Sequence, residues 1–293
     1  MATITAEIRT IDVPAATLTY DVRGPLPAAD GRPPLVMIGQ PMDASGFTTL
    51  ASYFPDRTVV TYDPRGLGRS VRHDDSDMQT PEQQADDVHA IITELGAGPV
   101  DLFGSSGGAI TALCLATRHP EDVRIVIAHE PPLQEILPDA EEVRAAWQRL
   151  LQTYQERGWG WGMAAFIDLT ALRGPVPEGF GTEVTDPATF GLPTEDDGTR
   201  DDPLLSGAAA AISSYRPDVA ALADAPARVV VAGGVESEGT LPWRAAAALA
   251  EQLGTALSEF PSDHGGFLGG EFGQTGKPEA FAARLKEVLA DSI

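Results

Sequence analysis

Pro99-Val100-Asp101-Leu102-Phe103-Gly104-Ser105-Ser106-Gly107-Gly108 is the stretch from which the rest of the chain can be read. Its first half is a short strand of apolar character. The second half is five small residues, and a helix is expected from Ser106 to Arg118. A G-x-S-x-G between a strand and a helix is a turn so tight that the neighbours of its central serine must be small, which accounts for Gly104, Gly107 and Gly108. Such a turn lifts the Ser106 hydroxyl above the sheet, and the helix start offers backbone N–H groups to a developing oxyanion. Ser105 is a second serine, but the register of the pattern selects Ser106. A Gly/Ser turn can also be a plain loop or an anion cradle; the strand before it and the helix after it favour a nucleophile.

Outward from this turn the chain alternates strands and helices. Upstream lie expected strands at Ile8–Val13, Thr17–Val22, Pro34–Ile38 and Thr58–Tyr62, and a helix over Pro81–Leu95 whose Val88, Ile91, Ile92 and Leu95 share one face. Proline at its first position fits a helix start. Downstream come strands at Arg124–Ala128, Arg228–Ala232 and Ala256–Phe260, and helices over Pro242–Leu253 and Pro278–Leu289. Short, continuously apolar strands separated by helices indicate a mostly parallel sheet covered on both faces. On such sheets functional residues gather at the carboxyl ends of the strands.

Residues 131–227 interrupt the alternation. Two helices are expected there, Asp139–Glu156 and Gly162–Leu172, followed by a Pro-, Gly- and acid-rich segment between Gly174 and Asp202. The expected division is a core from residues 1–130 and 228–293, with residues 131–227 as a helical cap carrying a mobile acidic segment.

The chain has 293 residues, 43% of them apolar, and a formal charge of −23. A core of that size excludes a disordered chain. The negative field opposes nucleic acid and anionic membrane surfaces as partners. A single cysteine, Cys114, allows no internal disulfide, and no cysteine–histidine spacing points to a metal. Neither an apolar signal core nor a run of roughly 18 apolar residues occurs, so a cytoplasmic location is expected. No cofactor is expected; the partner is a small-molecule substrate, with a homodimer possible.

A serine nucleophile needs a base. Of the five histidines, His89 lies within a helix, His119 at a helix end and His73 in a charged loop, whereas His264 follows a late strand in the glycine-flanked run Ser262-Asp-His-Gly-Gly266. That is the chain order Ser…acid…His requires. Two carboxylates compete for the acid: Glu130, at the end of the strand after the elbow helix, and Glu236, just past the next strand. Asp263 adjoins the histidine but its side chain is expected to point away. The turn Gly39-Gln40-Pro41 supplies the second oxyanion donor. Because Pro41 has no N–H, Gln40 is paired with Gly107.

These motifs resemble the α/β-hydrolase superfamily from Leu35 to Leu289. Tyr62-Asp-Pro-Arg-Gly-Leu-Gly-Arg-Ser70 is similar to a turn of that fold, and Asp263-His-Gly-Gly-Phe267 to its histidine loop. The resemblance implies the α/β-hydrolase fold: a mostly parallel eight-stranded sheet flanked by helices, with an inserted helical cap. Ser105-Ser106-Gly107 followed by His129-Glu130-Pro131 is similar to the zearalenone-type lactone hydrolases, which implies Glu130 as the acid. Most other members place it where Glu236 stands. Where many relatives carry histidine this chain has Ile38, which leaves the backbone donor intact. A serine at position 106 disfavours the haloalkane dehalogenases and epoxide hydrolases of this fold, whose nucleophile is aspartate. The implied activity is hydrolysis of a neutral, fairly hydrophobic carboxylic ester or lactone. The alternatives are carbon–carbon bond hydrolysis, acyl transfer or cyclisation on the same triad, or a ligand receptor without turnover. Met42, Trp147, Trp159, Trp161 and Phe166 are the candidate pocket residues, although cap aromatics such as these and Phe180 and Phe190 commonly form the cap's own core.

Overall fold

Two antiparallel strands open the chain, β1 (Glu7–Val13) and β2 (Ala16–Arg23), in a computed structural model that describes residues 5–28 and 31–290. The outermost residues of the expected core segments, and Ala29 and Asp30, lie outside that description. The other strands are β3 (Leu35–Gln40), β4 (Val59–Tyr62), β5 (Val71–Arg72), β6 (Val100–Ser106), β7 (Val123–His129), β8 (Arg228–Gly234) and β9 (Ser258–Phe260). Eight of them follow the path β1-β2-β4-β3-β6-β7-β8-β9, and every pair from β4 to β9 along it is parallel. The ninth strand, β5, is two residues long and pairs with β2 beside the path. It is too short to carry any periodicity, so only its pairing makes it visible.

The helices are α1 (Thr48–Ser52), α2 (Pro81–Leu95), α3 (Gly107–Arg118), α4 (Ala140–Arg157), α5 (Trp159–Ala171), α6 (Ala210–Ser213), α7 (Val219–Asp224), α8 (Leu241–Gln252) and α9 (Pro278–Ala290). Local chemistry sets α2: the Thr80 hydroxyl accepts from the Gln83 N–H, Pro81 opens the first turn, and Gly96 stops the helix in the left-handed region. Alternate residues of β3 serve opposite faces of the sheet, as the pleat requires. Val36 and Ile38 join a core with α2, α3 and α8, while Leu35 and Met37 join one with α1 and α9.

Between β7 and β8 the chain inserts α4, α5, α6 and α7. Helix α4 buries Val143, Ala146, Leu150 and Tyr154, a stripe of helical spacing. Asp139, just before α4, anchors the insertion to the core by accepting from the Val176 N–H at 2.7 Å and from Arg244 of α8. The acidic segment expected to be loose carries several ties: Thr185 donates to Asp168, Arg200 to Asp196, and Trp159 Nε1 to Asp202 at 2.9 Å. No helix among the described residues is long and apolar enough to cross a membrane.

Candidate active site

The elbow turns where β6 meets α3. Strand β6 continues through Gly104 and Ser105 to Ser106, and the helix starts one residue later than expected, at Gly107. Ser106 has φ 56° and ψ −127°, a conformation a residue with a Cβ adopts at a cost of roughly 1–3 kcal/mol. Close approach accounts for the glycines. A Cβ on Gly104 would lie 2.6 Å from the Gly108 carbonyl oxygen, and one on Gly108 would lie 2.4 Å from that of Ile38. Ser105, the other serine, is buried.

Positive φ occurs at two further non-glycine residues of the same rim, Glu130 (47°) and Ser262 (72°), each at or just past the end of a strand. These three residues close or follow β6, β7 and β9, on the carboxyl side of the parallel sheet, and packing must hold each against relaxation.

His264 and Glu130 come together. Nδ1 of His264 lies 2.6 Å from Oε2 of Glu130, and the Gly234 N–H donates to Oε1 at 2.8 Å, so both carboxylate oxygens are engaged. Glu130 is 0% exposed, whereas the His264 side chain is 42% exposed, leaving one edge of the imidazole open to the rim. Burial alone would raise the Glu130 pKa; the hydrogen bond and charge of His264, with smaller help from His129 and the Gly234 N–H, outweigh it and bring the carboxyl down to about 2. Burial pushes the His264 imidazole down, but the Glu130 hydrogen bond and charge, and the charge of Asp263, carry it above its ordinary value. The Asp263 carboxylate turns back on its own loop, accepting from the Gly265 N–H at 3.0 Å.

Glu236, the other candidate acid, does not reach the histidine. It is paired with Lys277, and its side chain is about half exposed.

Gln40 is in register with Ser106 across the β3–β6 ladder and lies against Gly107, where an added Cβ would come within 2.9 Å of its Cβ and carbonyl oxygen. The Gly107 N–H, in the first helical turn, has no intrahelical acceptor. Met42 packs over Gly39 and Gly46.

The five pocket candidates separate. Trp147 and Phe166 pack on each other at 5.9 Å in the insertion. Trp159 is tied to Asp202, and Trp161 lies under the Arg157 guanidinium and donates to the Thr194 carbonyl, so these two belong to the fabric of the insertion.

Sequence reasoning missed a group of buried polar atoms. Among the described residues, the buried side-chain polar atoms with no hydrogen-bond partner belong to Gln40, His129, Gln134, Trp147, Ser237 and Thr240. All six residues lie at or beyond the carboxyl end of a strand, on the rim or in the insertion. A buried polar atom without a partner costs roughly 1–3 kcal/mol, so these atoms call for an ordered water or another polar group beside them. For His129 the only sequence signal was its place beside Glu130 at the end of β7. Its ring, in a nest of Phe103, Phe260, Phe267 and Phe281, is driven by burial down to a pKa of about 4.

One cluster has metal-binding residue types: His89, His119 and Asp122 place ligand atoms within 4.8 Å of one another. Its two imidazoles stack at 3.9 Å with planes 9° apart, so no ion can lie in both ring planes, as imidazole ligation requires. Each ring is instead held by its own carboxylate, Asp122 for His89 and Asp86 for His119.

A family model of the α/β-hydrolase fold matches residues 33–177. The uncharacterized hydrolase YraK of Bacillus subtilis (strain 168) is 31% identical over 285 residues, covering 96% of this chain and 95% of its own. Among solved structures, a thermophilic esterase from Thermogutta terrifontis is 21% identical with a TM-score of 0.64, covering 99% of both chains. The enol-lactonase from Burkholderia xenovorans LB400 is 17% identical with a TM-score of 0.64, covering 96% of this chain and 100% of its own. At these identities the two structures establish a shared fold. With the nine-stranded, mostly parallel sheet of the described residues, a strained serine elbow and a relative 31% identical over 96% of this chain, the chain belongs to the α/β-hydrolase family.

Proposed function

We propose that the chain is a serine hydrolase that cleaves a carboxylic ester or lactone of a neutral, fairly hydrophobic small molecule through an acyl-enzyme. The observation that carries this is the 2.6 Å contact of His264 Nδ1 with the buried Glu130 carboxylate. A carboxylate so placed holds the proton on Nδ1 and leaves Nε2 as the acceptor on the open edge of the ring. In the reaction, Nε2 takes the Ser106 proton as Oγ attacks the substrate carbonyl. The negative charge that develops on the carbonyl oxygen meets the backbone N–H groups of Gly107 and Gln40. The imidazolium returns its proton to the leaving alkoxide, and Glu130 stabilises the cation meanwhile. Water then attacks the acyl-enzyme, with the same imidazole as base, and releases the acid and Ser106.

Residues 131–227 act as a cap over this rim. The likeness of the fold to an esterase and to an enol-lactonase supports the bond type.

The test is turnover of 4-nitrophenyl esters by the wild-type chain and by Ser106→Ala. Hydrolysis that disappears with Ser106 supports the reading. No turnover of a panel of esters, lactones and thioesters removes it, as does turnover that survives the substitution.

A further inference from the structure

Among the described residues the sheet ends on one side in β9, three residues long, and on the other in β1, seven residues long. No described strand pairs with the outer edge of β1, and none of its residues is buried. Its sequence Glu-Ile-Arg-Thr-Ile-Asp-Val has no proline or lysine, and its register with β2 runs unbroken, without a bulge. An open edge of that length is a template for another strand. Ile8, near its start, is 64% exposed.

The hairpin decides which backbone groups face outward. The two-residue turn Pro14-Ala15 joins β1 to β2, with Val13 opposite Ala16. A turn of that length is closed by a hydrogen-bonded pair, and such pairs alternate along an antiparallel ladder. Glu7, Arg9, Ile11 and Val13 therefore turn their N–H and C=O groups toward β2. Ile8, Thr10 and Asp12 turn theirs outward. When two such edges pair antiparallel, outward residues must meet outward residues, which puts the two-fold axis on a residue.

We infer that β1 is an interface with a second copy of this chain, the two edges pairing antiparallel about a two-fold axis at Ile8. Charge selects that register. An axis at Glu7, Arg9 or Asp12 sets like charges against each other, and one at Thr10 sets Ile8 against Asp12. An axis at Ile11 leaves Glu7 and Arg9 without a charged counterpart. With the axis at Ile8, the two exposed isoleucines meet. Glu7 and Arg9, already an ion pair at 2.9 Å within one strand, each face the opposite charge on the other copy. That contact occurs twice, in the non-hydrogen-bonded positions where side chains lie closest. One edge buries less surface than the roughly 1,600 Å² of a standard interface, and two copies of charge −23 repel. The dimer is therefore one that dissociates on dilution and tightens as salt screens the long-range repulsion.

Sedimentation velocity at roughly 1 and 100 μM in about 0.15 M salt tests this. The wild-type chain should pass from monomer toward dimer over that range. Glu7→Arg and Arg9→Glu each bring like charges together at two places and should weaken the dimer roughly tenfold. Combining them reverses both charges and should restore it, which a loss of folding would not allow. Ile8→Cys gives a second readout, because Cα atoms of a hydrogen-bonded antiparallel pair lie about 5.5 Å apart, within the span of a disulfide. Cys114 is buried and its thiol is pushed up to about 11, so oxidation should join two copies of the Ile8→Cys chain but not of wild type. A wild-type chain that stays monomeric at both concentrations overturns the inference. So does a dimer that both single reversals leave intact, or one that the combined substitution fails to restore. Cross-linking through Thr10→Cys but not Ile8→Cys overturns it too, since the axis then lies elsewhere. Sedimentation needs no substrate, so this interface and the hydrolase reading can each fail alone.

Discussion

Oε2 of Glu130 lies 2.6 Å from Nδ1 of His264, while Glu236, on the next strand end, is turned to Lys277 at the surface. The two carboxylates therefore differ in what their removal does. Glu130→Gln leaves the imidazole free to take the wrong tautomer and should lower kcat by a factor of about 10⁴. Glu236→Gln removes an exposed ion pair and should leave kcat within about threefold of wild type, as such pairs contribute about 0–1 kcal/mol. Kinetics of both folded variants on one ester decide the matter, and the opposite ranking would move the acid to Glu236.

A fluorophosphonate probe should label Ser106 and no other serine. Ser106 sits on the strained turn with its hydroxyl on the rim, whereas Ser105 is buried beside it. Mass spectrometry of the labelled peptide should find Ser106 modified, Ser106→Ala unlabelled and Ser105→Ala still labelled. Label remaining on Ser106→Ala refutes the assignment.

Activity should rise with pH. The imidazole acts as a base only when neutral, and Glu130 holds the His264 pKa above its ordinary value of about 6.5. A plot of log kcat/KM against pH should climb with unit slope and bend above pH ~6.5. Raising salt should leave the bend nearly in place, because the Glu130 carboxylate is buried and poorly screened. A bend near pH 4 to 5 would indicate a carboxylate base instead.

Stability should fall in acid for a separate reason. His129 is fully buried, and its ring has a pKa of about 4 in the fold against about 6.5 for a solvated imidazole. The unfolded chain therefore binds the proton first, and stability is lost as pH falls from about 6.5 to 4, by up to roughly 3 kcal/mol. His129→Phe keeps an aromatic ring among Phe103, Phe260, Phe267 and Phe281 and removes the proton site. Urea denaturation at pH 7 and pH 4.5 should show a smaller difference in the variant. An unchanged difference would assign the acid sensitivity to other groups, of which Glu130 titrates only near pH 2.

The legible parts of this molecule are those set by local rules. The elbow could be placed because sterics confine residues 104–108 to small side chains, and His264 because chain order and a strand end single it out. Glu130 had to be carried by resemblance, since two glutamates close neighbouring strands and only packing decides which one the imidazole meets. The aromatic residues of the insertion were less readable. Helix α5 begins at Trp159, not near Gly162, because Gly158 at φ 87° breaks the chain sharply enough to start it there. Gly160 and Gly162 are poor helix formers that the helix keeps for close contacts, with Pro193 and Tyr154 respectively. That start turns Trp161 onto Arg157, while Trp147 of α4 packs on Phe166 of α5. The partnerless atoms of Gln134 and Trp147 depend on contacts across the insertion, which no local spacing encodes.

The chain of buried hydrogen bonds from Thr111 to Ala208 makes a last prediction. Thr111 Oγ1 donates to Gln84 Oε1 at 2.7 Å, Gln84 Nε2 donates to Gln79 Oε1 at 3.0 Å, and the Gln79 N–H donates to the Ala208 carbonyl at 2.8 Å. Gln79 also holds the Arg65 carbonyl through its amide, so its side chain is fixed from both ends. Thr111→Val keeps the shape of the first turns of α3 and removes the only donor to Gln84 Oε1 among these bonds. A buried amide oxygen is then left without a partner, at a cost of about 1–3 kcal/mol. Thr111 Oγ1 also lies 3.3 Å from the Gly107 carbonyl, but its shorter bond is the one to Gln84, so the loss acts chiefly on the segment that carries Ala208. KM for a bulky ester such as 4-nitrophenyl 4-phenylbutanoate should therefore rise several-fold, while kcat for 4-nitrophenyl acetate changes less than twofold. Urea denaturation measures the first effect and steady-state kinetics the second. Wild-type stability with equal changes for both esters would show that the hydrogen-bond chain does not position the insertion over the site.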